Sequence, residues 1–272
     1  LRFAKRKAIE NAMNPSDLLA IAHRGMAIAP PPTLRHQKTA RQIICDGVVY
    51  RRQDYPDPGF NFASVLGPSP ALARIVAVAE EFFAGLPPGA YGILVEADAG
   101  HPIEAELRAV GWRIAEDEPA LVLPQIPEPT PLPRGLEIHR IKEPEGLRCQ
   151  VEAVAAAFDT PMEVVEKMMP RPSLLQDPDI AVLAGYCDGK PVCGAMCIRI
   201  DDIATVHGVA TLPACRHRGF GRAITWAAVH EGAKLGCTTA ALRASGASFE
   251  MYKRMGFVPV CKHRTYAPAN IT

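Results

Sequence analysis

The sequence predicts a mixed α/β protein whose central sheet is mostly antiparallel and flanked by helices, built as two similar halves in tandem. Three observations predict this. Residues 180–211 carry three successive apolar runs, IAVLAGYC, PVCGAMCIRI and IATVHGVAT, and the first two are joined by Asp188-Gly189, a pair suited to a tight hairpin. From residue 209 on, the pattern alternates strand, helix, strand, helix, strand. Residues 61–123 repeat the later part of that order, as an internal duplication would.

The chain has 272 residues, 48% of them hydrophobic and 22% charged, the balance of a globular protein long enough for two domains with a core each. The break falls at PQIPEPTPLPRG (124–135), whose five prolines remove backbone donors and stiffen the chain. The expected division is therefore a first domain at 1–128, a Pro-rich linker at 129–135 and a second domain at 136–272. A net charge of +1 supplies no field that would recruit nucleic acid or an anionic membrane. The most apolar stretch, 71–86, is interrupted by Arg74, Glu80 and Glu81, too early for a membrane span. The first residues are basic but no apolar segment or cleavage site follows, so they do not read as a secretory signal, and a cytoplasmic location is expected. Starting at Leu1 rather than a methionine leaves room for a natural start upstream.

None of the eight cysteines forms a C-x-x-C pair. Cys193 and Cys197 fall in one strand about 13 Å apart, at ~3.3 Å per residue, too far for one metal to bridge. The cysteines read as reduced, mostly buried thiols, and no metal is expected.

Taken in order, the first half offers a helix at 16–26, a proline loop at 30–32, a strand at 61–67 and an amphipathic helix at 70–84. It continues with a strand at 91–98, a helix at 103–110, and a strand pair opened by Trp112 and closed at Leu123. The second half opens with a strand at 136–141 and a helix at 145–158. T-P-M-E at 160–163 reads as a capping box, with Thr160 as N-cap, Pro161 at the first helical position and Glu163 reaching back. After the three strands comes a helix at 221–235, a strand at 238–242, a helix at 247–255 and a last strand at 257–266. Gly111-Trp112 occupies the place of Gly256-Phe257, which supports the duplication.

The sharpest chemical feature is Arg216-x-x-Gly219-x-Gly221, directly after a strand and opening a helix. A helix N-terminus presents free N–H groups and a partial positive charge, suited to a pyrophosphate. The glycines let phosphates approach the backbone, and Arg216, Arg218 and Arg222 add charge. A P-loop string is absent. A dinucleotide fingerprint fails too, because Ile224 stands at its last position and Thr239, Ala240 and Ala241 stand where an acid is required.

VATLPACRHRGFGRAIT (209–225) resembles the coenzyme A loop of the GNAT superfamily of N-acetyltransferases. LRASGASFEMYKRMGF (242–257) resembles its second signature, in which a strand ends in a small polar residue and a helix ends in Tyr-x-x-x-Gly-Phe. The resemblance covers 136–272 well and 40–123 as a degenerate copy. It implies acetyl-coenzyme A as co-substrate, held against the backbone of Val209, Ala210 and Thr211 where this strand splays from its neighbour. It implies that the Val209 amide polarises the thioester carbonyl. The amides of His217, Arg218, Gly219, Phe220, Gly221 and Arg222 would hold the pyrophosphate. Ser245 stands where the family usually has an Asn that contacts pantetheine, and Tyr252 is the implied acid toward the departing sulfur.

The base is left open. The family's usual Glu position is Thr205 here. His207, two residues on and on the same strand face, has an ordinary pKa suited to the task, and deprotonation through water is the rival. Asp159 and Glu163 lie where the family binds acceptors, Glu163 being accounted for as a capping residue. The N-terminal copy has only G-P-S-P (67–70) in place of the loop and Leu107 in place of Tyr252. It reads as non-catalytic, shaping the acceptor cleft or a homodimer face. The expected activity is acetyl transfer to a primary amine, of a small molecule or a peptide, by direct attack. The alternative is a coenzyme A sensor or scaffold without turnover.

Overall fold

The computed structural model describes residues 13–97, 100–168 and 171–269. One 11-stranded sheet runs through them. From the first edge come β1 (Arg41–Cys45), β2 (Val48–Arg52), β3 (Phe62–Val65) and β4 (Gly92–Glu96). From the other edge come β6 (Leu136–Arg140), β7 (Ile180–Cys187), β8 (Lys190–Ile200), β9 (Ile203–Thr211) and β10 (Thr239–Arg243). Between β4 and β10 lie β11 (Val258–Ala267) and β5 (Arg113–Leu123), in that order. The mixed, mostly antiparallel sheet follows the expected class.

The two central strands are exchanged. β5, from the first half, pairs antiparallel with β10 of the second, Leu123 opposite Ala240 and Ala120 opposite Arg243. β11, from the second half, pairs antiparallel with β4 of the first, Glu96 opposite His263 and Ile93 opposite Tyr266. β5 and β11 then pair with each other, from Val122 opposite Val258 to Arg113 opposite Ala267. The sheet is thus continuous across the linker. The strand pair expected between Trp112 and Leu123 is instead this single 11-residue strand. Gly111 at φ 86° and Gly256 at φ 96° begin the two exchanged strands in the same way, a conformation that costs glycine nothing.

Alternation along β5 feeds two cores. Leu121 and Leu123 join the core with Leu242, Tyr252 and helix α6 (Phe220–Lys234). Ala120 and Val122 face helix α1 (Pro15–His23), whose Leu18, Ile21 and Ala22 also cover Ala241 and Cys261. Asn14 caps α1, its side chain accepting the Asp17 amide at 2.9 Å, and a π-helical turn over Arg24–Ile28 carries Met26 onto the same core. In the first half, α2 (Leu72–Phe82) and α3 (Ile103–Ala109) bury Ile75, Ala79 and Leu107 against Ile93 and Val95. The second half adds α4 (Pro144–Phe158), α5 (Met162–Met168) and α7 (Phe249–Arg254).

One local element is added and one is corrected. The β1–β2 hairpin, with Asp46 at φ 51° and Gly47 at φ 78° in its turn, had no place in the sequence reading. The capping box does not form. Asp159 ends α4 in the left-handed conformation at φ 51°, and the Thr160 hydroxyl donates back to the Phe158 carbonyl at 3.3 Å. Pro161 accepts the amides of Val164 and Val165, so it stands at the cap rather than inside the helix.

Each fully buried Leu or Val that β5 contributes is worth roughly 1.5–3 kcal/mol, and β10 without β5 has an open edge. A protein cut within 128–131 is therefore expected to stay together as a non-covalent complex in size-exclusion chromatography. Fragment 124–272 alone is expected to show no cooperative melting by circular dichroism; a cooperative transition would mean the exchanged strand is dispensable.

Candidate active site

β9 and β10 run parallel but only for three residue pairs, Ile203–Thr239, Ala204–Ala240 and Thr205–Ala241. β9 continues to Thr211 without β10 beside it. Its other edge stays on β8, yet the register shifts between Gly194 and Met196, opposite Gly208 at φ 58°. A bulge of this kind bends a strand and increases its twist, which carries the end of β9 away from β10. In the first half the equivalent strands, β3 and β4, pair along the whole of β3, so no cleft opens there.

A cleft of about 190 Å³ lies at the parting, lined by His207, Val209, Ser245 and Tyr252 among others. Four of the residues singled out in the sequence thus meet. Val206 and Gly208 of β9 also line it, as do Glu118 of β5, Arg243, Ser248, Met26 and Phe158, which were not foreseen. Asp159 and Glu163 do not line it. A larger hollow of about 560 Å³ sits elsewhere, among Pro56, Pro58, Pro87, Pro88 and the β11 end, without converging chemistry.

Tyr252 is 4% exposed and packs edge-on against Phe257. Burial pushes its phenol up to about 12, against the pull of hydrogen bonds with Ser248 and Thr225, so it holds its proton at neutral pH. The Ser248 hydroxyl donates to the Ser245 carbonyl at 3.1 Å. The Ser245 hydroxyl must then donate to Ser248 across 3.1 Å, leaving its lone pairs for a ligand. Thr205 donates to the Ile198 carbonyl at 2.9 Å and therefore accepts from His207 Nε2 at 3.0 Å. Burial first, then the charges of Arg243 and Arg51, push the His207 imidazole down to about 4. Glu118 comes from the exchanged strand, with Arg243 Nε 3.5 Å from its carboxylate. Burial raises its pKa, Arg243 lowers it and Glu116 adds to the rise.

At the outer end of β9, a 3₁₀ turn over Pro213–Cys215 leads into the loop. Gly219, at φ 82° and ψ 2°, caps α6 without any side-chain hydrogen bond, and His217 is left-handed at φ 62°. The first-turn amides of Phe220, Gly221 and Arg222 therefore have no partner within the helix. The three arginines of the loop differ in their contacts. Arg216 donates to the Ala157 carbonyl at 2.9 Å, tying the loop to α4. Arg218 lies 4.6 Å over the Phe220 ring. Arg222 alone of the three makes no hydrogen bond or ion pair to a described residue and stays available for an anion.

Glu118 had one sequence signal, the acidic run Glu116-Asp117-Glu118 inside a strand otherwise ending in apolar residues. Its delivery to this cleft depends on the strand exchange, which local pattern does not reveal.

Residues 151–257 match the Acetyltransferase (GNAT) family. No curated protein matches the sequence. Among solved structures, a GCN5-related N-acetyltransferase from Kribbella flavida is similar at 20% identity and TM-score 0.62, over 87% of this chain and 91% of that one. One from Sphaerobacter thermophilus is similar at 17% and 0.57, over 94% and 93%. A functionally unknown conserved protein from Staphylococcus epidermidis is similar at 17% and 0.64, over 85% and 95%. At these identities the likeness is one of fold, and it extends over both halves.

Gly219→Ala places a side chain on a left-handed residue. It is expected to lower stability by about 1 kcal/mol, read as a lower urea midpoint at unchanged slope. An unchanged midpoint would mean the loop does not need that conformation.

Proposed function

We propose that the protein transfers an acetyl group from acetyl-coenzyme A to a primary amine, by direct attack within the β9–β10 cleft. The carrying observation is that β9 parts from β10 beside a cleft lined by Val209 and Tyr252, and that the same strand runs on to the loop from which Gly219 opens α6. The free edge of β9 at Val209, Ala210 and Thr211 takes the pantetheine as an added strand, with the Val209 amide donating to the thioester carbonyl as charge develops there. The amides from His217 to Arg222, with the Arg222 guanidinium, hold the pyrophosphate. Ser245 accepts from the pantetheine amide, and Tyr252 donates toward the departing sulfur.

The proton on the amine goes to Glu118. A carboxylate raised above its ordinary range by burial is better matched to that task than an imidazole held near 4. His207 stays as a neutral hydrogen-bonding wall of the cleft. The first half, without a phosphate loop of its own, thus serves the acceptor side through β5. A sensor or scaffold role is the alternative, and it requires binding without turnover.

A panel of primary amines, followed by release of free thiol from acetyl-coenzyme A, tests the activity. Binding without turnover across the panel favours the sensor. With a responsive amine, Tyr252→Phe is expected to lower kcat 10- to 1000-fold, drawn from a general-acid contribution of about 10²–10⁴, while coenzyme A affinity holds. Equal turnover with chemistry rate-limiting would remove Tyr252 from the mechanism.

Glu118→Gln keeps shape but not basicity, and is expected to cost about 10²–10⁴ in kcat with little change in acetyl-coenzyme A binding. His207→Asn should cost far less. The reverse order of the two effects would return the base to His207.

A further inference from the structure

On the α1 side of the sheet, away from the phosphate loop, His23, Cys261 and His263 are all buried, and their ligating atoms lie within 4.8 Å of one another. It is the one such group among the described residues. Cys261 and His263 are two apart on β11 and so share a face. His23 ends α1 and faces them, its ring centroid 5.6 Å from that of His263. Glu96 of β4 lies directly opposite His263 in register, and its carboxylate is 3.1 Å from His23 Nε2. Three ligand atoms thus converge, and the Glu96 carboxylate stands beside one of them, His23.

His263 supplies a second, independent observation. It is 0% exposed, and neither ring nitrogen has a hydrogen-bond partner among the described residues. Burying an imidazole N–H without an acceptor costs about 1–3 kcal/mol. A coordinated metal would resolve this orphaned ring. Burial, with the charge of Arg243 and then His23, drives His263 down to about 3, and burial lowers His23 also. Both rings are neutral, as ligation requires.

We propose that His23, Cys261 and His263, with Glu96 as fourth ligand, bind one divalent ion of the zinc class. Two imidazoles, a thiolate and a carboxylate make a set that zinc accepts in tetrahedral geometry. With metal–ligand bonds of about 2.0–2.3 Å, such a site brings ligand atoms to roughly 3.3–3.8 Å of one another, so the side chains close by about 1 Å. Cys261 releases its thiol proton to solvent as the sulfur–metal bond forms. The ion joins α1 and β4 of the first half to β11 of the second, and so staples the exchanged strand in place. His23 is too distant in the chain from Cys261 and His263 for any spacing motif to join them.

The test uses the full chain, stripped with chelator and titrated with cobalt(II). Saturation at one cobalt per chain is expected, with the visible bands of a tetrahedral ion and a thiolate-to-cobalt charge-transfer band, both removed by added zinc. Cys261→Ser is expected to lose the charge-transfer band and at least tenfold in affinity, and zinc should raise the Tm of the wild type but not of this variant. Should Cys261→Ser fail to fold, His23→Gln, at the helix end, is read for the same loss of affinity. Wild-type protein that folds yet gives no cobalt spectrum would overturn the proposal. So would an identical spectrum and affinity in the variants, which would mean binding at the surface.

Discussion

Every larger feature of this molecule depends on the pairing of β5 with β11 at the middle of the sheet. Backbone groups in a sheet interior must find partners there, and here each half meets that demand with the last strand of the other. β10 receives β5, and β4 receives β11. The halves therefore share hydrogen bonds and both faces of a core, since Leu121 and Val122, neighbours in sequence, are buried in different clusters. The proline-rich segment that looks like a boundary is a covalent tether across a sheet that does not stop. Helix α1 reinforces the same seam, lying over residues of β5, β10 and β11 together.

The exchange also explains how a half without phosphate chemistry can stay tied to function. In the first half β3 keeps β4 along its length, and prolines at 68 and 70 remove the amides that a loop would need. In the second half the bulge opposite Gly208 lets β9 leave β10 after Thr205. The same duplicated order thus closes in one copy and opens in the other. The closed copy then sends a strand into the open one, and that strand carries Glu118 to the cleft.

What was legible in the sequence was what is local. The loop, its left-handed Gly219, the strand at 203–211 and Tyr252 lie within about fifty consecutive residues, and their types follow from turn, cap and strand rules. Glu118 meets Tyr252 and Arg243 only through a strand order that no local pattern encodes, and the buried His23 meets Cys261 and His263 by the same route. The failed capping box has a local cause: Thr160 follows a left-handed Asp159, which turns its hydroxyl back to the helix just ended. The arginines were readable in number but not in their contacts, since Arg216 donates to the Ala157 carbonyl and Arg218 lies over the Phe220 ring.

Acetyl transfer to an amine needs one group that keeps its proton until the sulfur leaves and another that takes a proton from the nucleophile. Two titratable groups in one cleft serve those roles when their surroundings push them apart. Tyr252, enclosed against Phe257, is raised to about 12, and the nearby charge of Glu118 adds to that rise. Glu118 is raised from the ordinary carboxylate value by burial, while Arg243 beside it favours the ionised form. The charge of Glu118 thus helps to keep the phenol protonated. The His207 imidazole stays neutral first because it is buried and then because Arg243 and Arg51 disfavour a further positive charge beside them. Arg243 therefore acts on both groups, favouring the ionised form of the carboxylate delivered by the first half and adding to the burial that keeps the imidazole of the second neutral.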